Sequence, residues 1–349
     1  MADPRSDGRP RVWVSQPLIE AVIAPLREHV DLVATDAVTA WTPGQLAERL
    51  AAVDGAIITL NERIGAAQLP SSGRLQAIAN VGVGFNNLDI EALTAAGILA
   101  SNTPDVLTET TADMGFALLM ATARRITESE RWLRDGHWDQ WSFQTMLGAD
   151  IHGSTLGILG MGRIGQGIAR RGAHGFGMRV LYHNRSPLPA ATEAEVGARY
   201  VDLPTLLAQS DHLVLVLPYT ASSHHLIDAA ALGRMKPGAT LVNIARGGIV
   251  DELALADALA NGRLAAAGLD VYEGEPQVRP ELLALRNVVL TPHTGSATLG
   301  TRTAMVQLAV DNLLAALGVV GTPAQMPSAI NAAAVLAARA VQGDNSKKR

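Results

Sequence analysis

The chain has 349 residues, a length that favours two domains over one. It contains no cysteine, so the sequence offers neither a disulfide framework nor a thiolate metal site. Its formal net charge of −5 argues against nucleic acid and against an anionic membrane surface as partners. Residues 1–10 lack the apolar core of a secretory signal, and no apolar run reaches the roughly 18–20 residues of a membrane span. We therefore expect a cytoplasmic, globular protein.

The first hundred residues alternate short apolar runs with helical patterns. Strands are predicted at 11–15, 55–60, 75–81 and 97–101, and helices at 43–53 and 88–97. Such alternation is typical of a parallel sheet covered by helices on both faces. A long helix should then begin near Glu109. Because it is apolar on most sides, we expect it to be buried between domains or between subunits.

A second series of alternating strands and helices begins at 154–165, after a Trp-rich segment at 136–144. Its predicted strands are 155–159, 178–183, 212–217, 240–245, 265–271 and 287–291. This pattern predicts a doubly wound sheet of the size of a dinucleotide domain. Beyond it we expect a helix at 297–317 that could return to the first domain, a terminal helix at 332–341 and a disordered tail at 343–349.

The turn that opens the second series has the pattern G-x-G-x-x-G, from Gly160 to Gly165, between a predicted strand and a predicted helix. In a dinucleotide site Gly160 would permit the tight turn, Gly162 would let the backbone approach the pyrophosphate, and Gly165 would allow close packing of helix on strand. The helix N-terminus would face the phosphates. The alternative is a glycine-rich turn without a ligand.

The next strand ends in Asn184, Arg185 and Ser186, where an NAD site usually has an acid that binds the ribose 2′-hydroxyl. An acid would repel a 2′-phosphate, whereas Arg185 would attract one and its two neighbours can donate hydrogen bonds. We therefore favour NADPH/NADP as the cofactor, with NADH/NAD weaker. The alternative is a solvated Arg185 in a site that still accepts NAD.

Three titratable residues follow strands of the second sheet, where chemistry collects in open α/β folds: Arg246, Glu275 and His293. Arg246 could bind a carboxylate and polarise an adjacent carbonyl, and His293 could give that carbonyl oxygen a proton. Glu275, if bonded to the other ring nitrogen, would favour the imidazolium and hold the tautomer. Taken singly, each is more often a surface or structural residue. Asp270 lies within a strand, which is unusual for a charge that is neither paired nor bound to a ligand.

The remaining histidines indicate less. His224 and His225 are adjacent, and the sequence offers no third ligand at a suitable spacing, so we predict no metal site there. His183 could touch the cofactor rim, and His212 begins a predicted buried strand and should be structural.

Four segments together resemble the D-isomer-specific 2-hydroxyacid dehydrogenases, with closest similarity to the glyoxylate/hydroxypyruvate reductase branch, which shades into 2-ketogluconate reductase. They are LGILGMGRIGQGIARR (156–171), NIARGGIVDELAL (243–255), AAGLDVYEGEP (266–276) and LTPHTGSAT (290–298). The resemblance covers about 50–320. It implies that Arg246 binds the substrate carboxylate and oxo group and that Glu275 is the partner of His293, the acid/base.

The resemblance also implies the surroundings of this centre. The glycine-rich loop NVGVGFNN would hold the substrate carboxylate through the amides of Val81 and Gly82, although it has Phe85-Asn86 where Tyr-Asp is usual. Leu60 would line the substrate side. The family is usually dimeric, so Trp141, with Trp138 next, would reach the partner's site. The alternative is an ordinary aromatic residue of the interface. We assign cofactor binding to Arg163, Ile164, Pro218, Thr220, Ala245, Asp270 and Gly295.

The resemblance implies two Rossmann/flavodoxin-like parallel-sheet domains separated by an active-site cleft that closes on substrate. The dinucleotide domain would be 104–296, inserted into a substrate domain made of 1–103 and 297–349. The expected function is NADPH-preferring reduction of small 2-oxo acids, glyoxylate and hydroxypyruvate, to D-2-hydroxy acids by a homodimer. Alternatives are a 2-ketogluconate reductase, a 3-phosphoglycerate dehydrogenase-like enzyme, or, in another class, a nucleotide-sensing corepressor.

Overall fold

The computed structural model describes residues 8–70 and 73–346, with side chains described up to residue 341. The described residues fall into two compact units. One contains the chain up to Leu107 together with the part from Thr298 onward, and the other is Thr108–Ala297. That a substrate domain and a dinucleotide domain correspond to these units stays a prediction.

The first unit is built on a five-stranded parallel sheet. Its strands are β1 (Arg11–Val14), β2 (Asp31–Ala34), β3 (Gly55–Ile58), β4 (Ala77–Asn80) and β5 (Leu99–Ser101), in the order β2-β1-β3-β4-β5. The intervening helices are α1 (Glu20–Leu26), α2 (Pro43–Ala51) and α3 (Ile90–Ala95). Local capping explains two helix starts, because Thr42 accepts the Gln45 N–H and Asp89 accepts the Ala92 N–H.

The second unit is built on a seven-stranded parallel sheet. Its strands are β6 (Thr155–Leu159), β7 (Arg179–His183), β8 (Ala198–Tyr200), β9 (His212–Leu215), β10 (Thr240–Asn243), β11 (Ala266–Leu269) and β12 (Val288–Leu290). Their order is β12-β11-β10-β9-β6-β7-β8, so the order reverses between β6 and β9. In open sheets of this kind ligands bind beyond the carboxyl ends of the strands at such a reversal.

Eight helices of the described residues belong to the second unit. They are α4 (Thr108–Ala123), α5 (Ile126–Arg134), α6 (Arg163–Arg170), α7 (Ala190–Val196), α8 (Leu203–Gln209), α9 (Ala229–Arg234), α10 (Glu252–Ala260) and α11 (Pro280–Leu283). The long helix α4 packs on α6, β10 and β11 of its own unit. It is buried as predicted, and it covers the sheet of its own unit. That it also lies between domains or between subunits stays a prediction.

The chain then returns to the first unit through α12 (Leu299–Ala316) and α13 (Ala332–Ser346). Leu313 of α12 lies directly over Gly55 of β3. A Cβ added to Gly55 would come within 2.9 Å of Leu313 Cδ1. The predicted disordered tail at 343–349 is wrong as far as Ser346, which is helical, and its last three residues lie outside the described residues. Among the described helices none is long and apolar enough to cross a membrane.

Candidate active site

The glycine turn after β6 has the geometry of a dinucleotide loop. Gly160 has φ +101°, and an added Cβ would lie 2.7 Å from the backbone nitrogen of Leu217, so only glycine fits. A Cβ on Gly165 would collide with the Gly160 carbonyl oxygen, whereas a Cβ on Gly162 would meet nothing within 4 Å. Gly162 is the residue directly before α6, so the open space beside it lies at the N-terminus of that helix. These residues therefore fit a pyrophosphate bound at a helix N-terminus.

The segment after β7 is fastened to this turn. Asn184 Oδ1 accepts the Met161 N–H at 2.7 Å, so its oxygen is committed to the turn and its amide nitrogen is the group left to donate. Arg185 and Ser186 are exposed, and neither makes a hydrogen bond or ion pair with any residue in the described ranges. Arg185 thus presents an unpaired cation where the sequence predicts the adenosine ribose.

The Tyr182 hydroxyl holds the other end of this segment, at Leu188. Its hydroxyl donates to Glu193 Oε1 at 2.7 Å and accepts the Leu188 N–H at 2.6 Å. Burial, helped by the Glu193 carboxylate, raises the pKa of Tyr182 to about 12. The segment 184–187 is consequently held at both ends.

The His293 ring and the Glu275 carboxylate form a close pair. His293 Nδ1 lies 2.7 Å from Glu275 Oε2, and Glu275 Oε1 accepts the Tyr272 N–H at 3.0 Å. Each of the two side chains is 31% exposed. Burial acts to raise the pKa of Glu275, but the hydrogen bond and charge of His293 outweigh it, so the pKa lies below its usual value. His293 Nε2 has no hydrogen bond to a described residue and is the nitrogen able to act on a substrate.

Arg246 follows β10 in an extended conformation, with φ −150° and ψ 150°. Asn243 fixes the backbone around it, since its Nδ2 donates to the Arg246 carbonyl at 2.9 Å and its Oδ1 accepts the Ala245 N–H at 3.0 Å. Burial lowers the pKa of Arg246, and the negative charge of Glu275 opposes this effect. The structure therefore brings the three residues at strand ends, Arg246, Glu275 and His293, into one electrostatic environment.

Asp270 has a role that sequence reasoning missed. Its side chain is 1% exposed, and its carboxylate accepts the Thr294 N–H at 2.8 Å, the Gly295 N–H at 2.8 Å and the Thr291 hydroxyl at 2.6 Å. Between these residues His293 has a φ of +52°, and its N–H donates to the Asp270 carbonyl at 2.9 Å. A left-handed conformation is costly for histidine. Asp270 therefore holds the loop that presents His293, and a cofactor contact through it stays a prediction.

In the first unit the glycine-rich loop requires a correction. The Val81 N–H donates to the Ile58 carbonyl at 2.8 Å, because the sheet ladder continues one residue past β4, and the Gly82 N–H donates to the Asn80 carbonyl at 3.0 Å. Neither amide predicted to hold a carboxylate is available. The amides of the next two residues, 83 and 84, make no hydrogen bond within the described part of the chain. The predicted wall residue Leu60 lies against Gly82.

Hydrogen bonds to its own carbonyl groups hold this loop in place. They leave the amides of residues 83 and 84 unbonded among the described residues. Asn102 Nδ2 donates to the Val83 carbonyl at 2.8 Å, and Asn80 Nδ2 donates to the Gly84 carbonyl at 3.0 Å. The Thr103 N–H donates to the Gly82 carbonyl at 3.0 Å.

The other predicted residues lie as follows: Arg163 and Ile164 open α6, Pro218 and Thr220 are exposed after β9, and Ala245 and Gly295 are buried beside Arg246 and Asp270 respectively. His183 Nδ1 is 2.9 Å from the Val201 carbonyl. His212 is buried between Thr240 and the Asp150 carbonyl, as expected of a structural histidine. Trp141 is 74% exposed and packs edge-on against Phe143.

Comparison with known proteins defines the class. Residues 116–295 match the D-isomer specific 2-hydroxyacid dehydrogenase, NAD binding domain. The glyoxylate reductase of Thermococcus onnurineus is 46% identical over 88% of this chain and 92% of its own. Glyoxylate/hydroxypyruvate reductase B of Klebsiella pneumoniae is 43% identical over 88% and 95%. The NADPH-dependent glyoxylate/hydroxypyruvate reductase of Sinorhizobium meliloti, solved with NADP and malonate, superimposes with a TM-score of 0.81 at 34% identity, covering 93% and 98%.

The chain belongs to the D-isomer-specific 2-hydroxyacid dehydrogenase family and is an oxidoreductase. The family resemblance and the fold class predicted from the sequence are confirmed.

Proposed function

We propose that the protein reduces glyoxylate and hydroxypyruvate to D-2-hydroxy acids and that it prefers NADPH. The observation that carries the proposal is the hydrogen bond between His293 and Glu275 in the electrostatic environment of the largely buried Arg246. A cation, a proton donor and its partner are the groups that reduction of a small 2-oxo acid requires.

Each residue has a definite task. The Arg246 guanidinium binds the substrate carboxylate and polarises the oxo group. Glu275 engages His293 Nδ1, so the proton given to the oxo oxygen comes from Nε2. A bound nicotinamide cofactor would supply the hydride to the carbonyl carbon. Asp270 keeps the loop of His293 in place through the hydrogen bonds of its carboxylate.

The preference for NADPH is supported by Arg185, which is exposed and unpaired among the described residues, and by the lack of an acid after β7. A guanidinium recognises a phosphate through charge-assisted hydrogen bonds. The Asn184 amide nitrogen and the Ser186 hydroxyl can add donors. That the Sinorhizobium relative is described as NADPH-dependent agrees with this assignment.

Two further assignments belong to this proposal. In the first unit, the unbonded amides of Val83 and Gly84 replace those of Val81 and Gly82 as donors to a carboxylate.

A homodimer is supported by a set of exposed apolar side chains on one segment, whose members are Leu133, Trp138, Trp141, Phe143 and Leu147. A patch of this kind marks an interaction site, and Trp141 would reach the partner's substrate there.

The decisive experiment is a steady-state panel of glyoxylate, hydroxypyruvate, 2-ketogluconate and 3-phosphohydroxypyruvate with NADPH and with NADH. We expect the highest kcat/KM for the first two acids with NADPH. Better turnover of 2-ketogluconate, or of the phosphorylated acid with NADH, would select one of the two alternative enzymes. Absence of turnover with every acid, together with dinucleotide-dependent binding of a partner protein, would select the corepressor.

A further inference from the structure

Two separate segments of the second unit bring three potential metal ligands together on its surface. His224 and His225 follow β9, and Glu273 lies in the loop after β11. Their ligand atoms lie within 4.8 Å of one another. We call these three residues the histidine–glutamate cluster. The third ligand that the sequence could not supply is thus provided by the fold, 48 positions after His225.

An unusual backbone conformation produces the cluster. Neighbouring side chains in extended chain point to opposite sides. Here His224 is extended, with φ −63° and ψ 125°, but His225 is left-handed, with φ +50°. The two imidazoles therefore stack on the same side, with ring centroids 4.0 Å apart. Left-handed residues other than glycine are strained and tend to occur at functional sites.

The turn that follows Arg246 keeps this conformation in place. The His225 N–H donates to the Gly248 carbonyl at 2.8 Å, and the Ile227 N–H donates to the Ile249 carbonyl at 3.1 Å. A Cβ added to Gly248 would come within 3.3 Å of His224 Nδ1, so the absence of a side chain there makes room for the ring. The backbone thus holds both rings before any ion arrives.

The side-chain contacts match those of a metal site. His225 Nε2 and Glu273 Oε2 are 3.1 Å apart, close to the roughly 3.4 Å between two ligand atoms of a tetrahedral zinc ion. The Tyr219 hydroxyl is 3.1 Å from His224 Nδ1. A hydrogen bond of this kind to the second ring nitrogen is usual for metal-binding histidines, because it orients the ring and leaves the other nitrogen for the ion. The exposed ring of His224 gives an ion access from solvent.

We propose that the histidine–glutamate cluster binds a divalent transition-metal ion, with Zn²⁺ as the ion best matched to two imidazoles and one carboxylate. Among the ion pairs of the described residues, the cation that competes for Glu273 is Arg279, whose Nη2 is 3.9 Å from Glu273 Oε2. That distance leaves the carboxylate oxygen accessible to an ion. Bound metal would join the segment after β9 to the loop that continues to Glu275.

The test measures Zn²⁺ binding to the tag-free, full-length protein by competition with a chromophoric zinc indicator. It requires no turnover, so its outcome is independent of the proposed function. We expect one ion per chain. His224→Ala and Glu273→Gln should each weaken binding about tenfold or more, and Tyr219→Phe should weaken it by about tenfold through the lost hydrogen bond.

His29→Ala, which removes an exposed histidine from the other unit, is the matched control and should leave the affinity unchanged. Because the chain has no cysteine, thiolates contribute no background. His224 is exposed, so its replacement leaves the core intact. Equal zinc affinity in the wild type, His224→Ala and Glu273→Gln, or no binding by the wild type at micromolar zinc, would overturn the proposal.

Discussion

His293 Nδ1 lies 2.7 Å from Glu275 Oε2, and the second oxygen of the same carboxylate accepts the Tyr272 N–H at 3.0 Å. Both ends of the carboxylate are therefore engaged, one by the ring and one by the backbone. A carboxylate anchored in this way fixes the rotation of the imidazole as well as its tautomer. Because the two side chains are bonded in this way, we expect replacement of either one to lower kcat.

Replacing His293 by alanine should lower kcat by about 10²- to 10⁴-fold, the usual contribution of a general acid. Glu275→Gln should give a smaller loss of the same kind. The dissociation constant of NADPH, measured by fluorescence titration, should stay within about twofold in both. His152→Ala, at an exposed position, is the control. A His293→Ala enzyme with full activity would remove the assigned role.

Arg185→Ala should raise the KM for NADPH by about tenfold or more, because a charge-assisted hydrogen bond contributes about 1.5–3 kcal/mol. The KM for NADH should change little. Arg179→Ala removes another exposed arginine, at the opposite end of β7, and should alter neither constant. Equal effects of Arg185→Ala on the two cofactors would contradict recognition of the 2′-phosphate.

Asp270→Asn should reduce kcat by about ten- to a hundredfold, because the amide nitrogen would face N–H donors and displace the His293 loop. If Asp270 acts only through that loop, NADPH binding will be nearly unchanged. Thr291→Val removes one hydrogen bond to the same carboxylate and should show a weaker effect on kcat. A large loss of cofactor affinity with normal kcat would instead indicate direct contact with the nicotinamide.

Tyr182 predicts a dependence of stability on alkaline pH. Its pKa of about 12 in the folded protein lies above the ordinary value of about 10. A raised pKa means that the neutral phenol stabilises the fold fully below about pH 10 and that this contribution is lost as the pH rises towards 12. Urea unfolding between pH 8 and 11 should show a shallower decline for Tyr182→Phe than for the wild type. Tyr272, whose pKa burial also raises, should leave a residual slope in the variant.

The exposed patch around Trp141 predicts the oligomeric state. Trp141 and Phe143 are 74% and 83% exposed, and replacing both with serine should shift sedimentation from dimer to monomer. Val38→Ser, at an exposed apolar position of the first unit, should leave the dimer intact. A wild-type protein that sediments as a monomer at micromolar concentration would refute the dimer.

The sequence predicts the fold best where the pattern is local and strong. All ten strands it indicates are present, because each contains a short run of apolar residues. It misses α1, where Pro25 suggests a break, and β2, a half-exposed edge strand that begins with Asp31. It also misses α5 and the three-residue β8, which is too short to show a period.

The residues of the candidate site could likewise be predicted only where the sequence pattern is local and strong. Residues placed by a strand end or a glycine turn, such as Arg246 and Gly160, can be predicted because sheet topology fixes their surroundings. The sequence could not show that Val81 donates within the sheet, since that depends on where the ladder stops. The sequence could not show the left-handed conformations of His293 and His225 either, because a positive φ remains uncommon even for histidine, which is enriched there.

The two units differ in when they can be completed during synthesis. The second is one continuous stretch, whereas the sheet of the first depends on α12, whose Leu313 packs over Gly55. On the ribosome, β3 and β4 emerge long before that helix, so one apolar face of the nascent sheet must wait uncovered until the entire second unit has been translated. A chaperone that shields this face would therefore act on the earlier part of the chain.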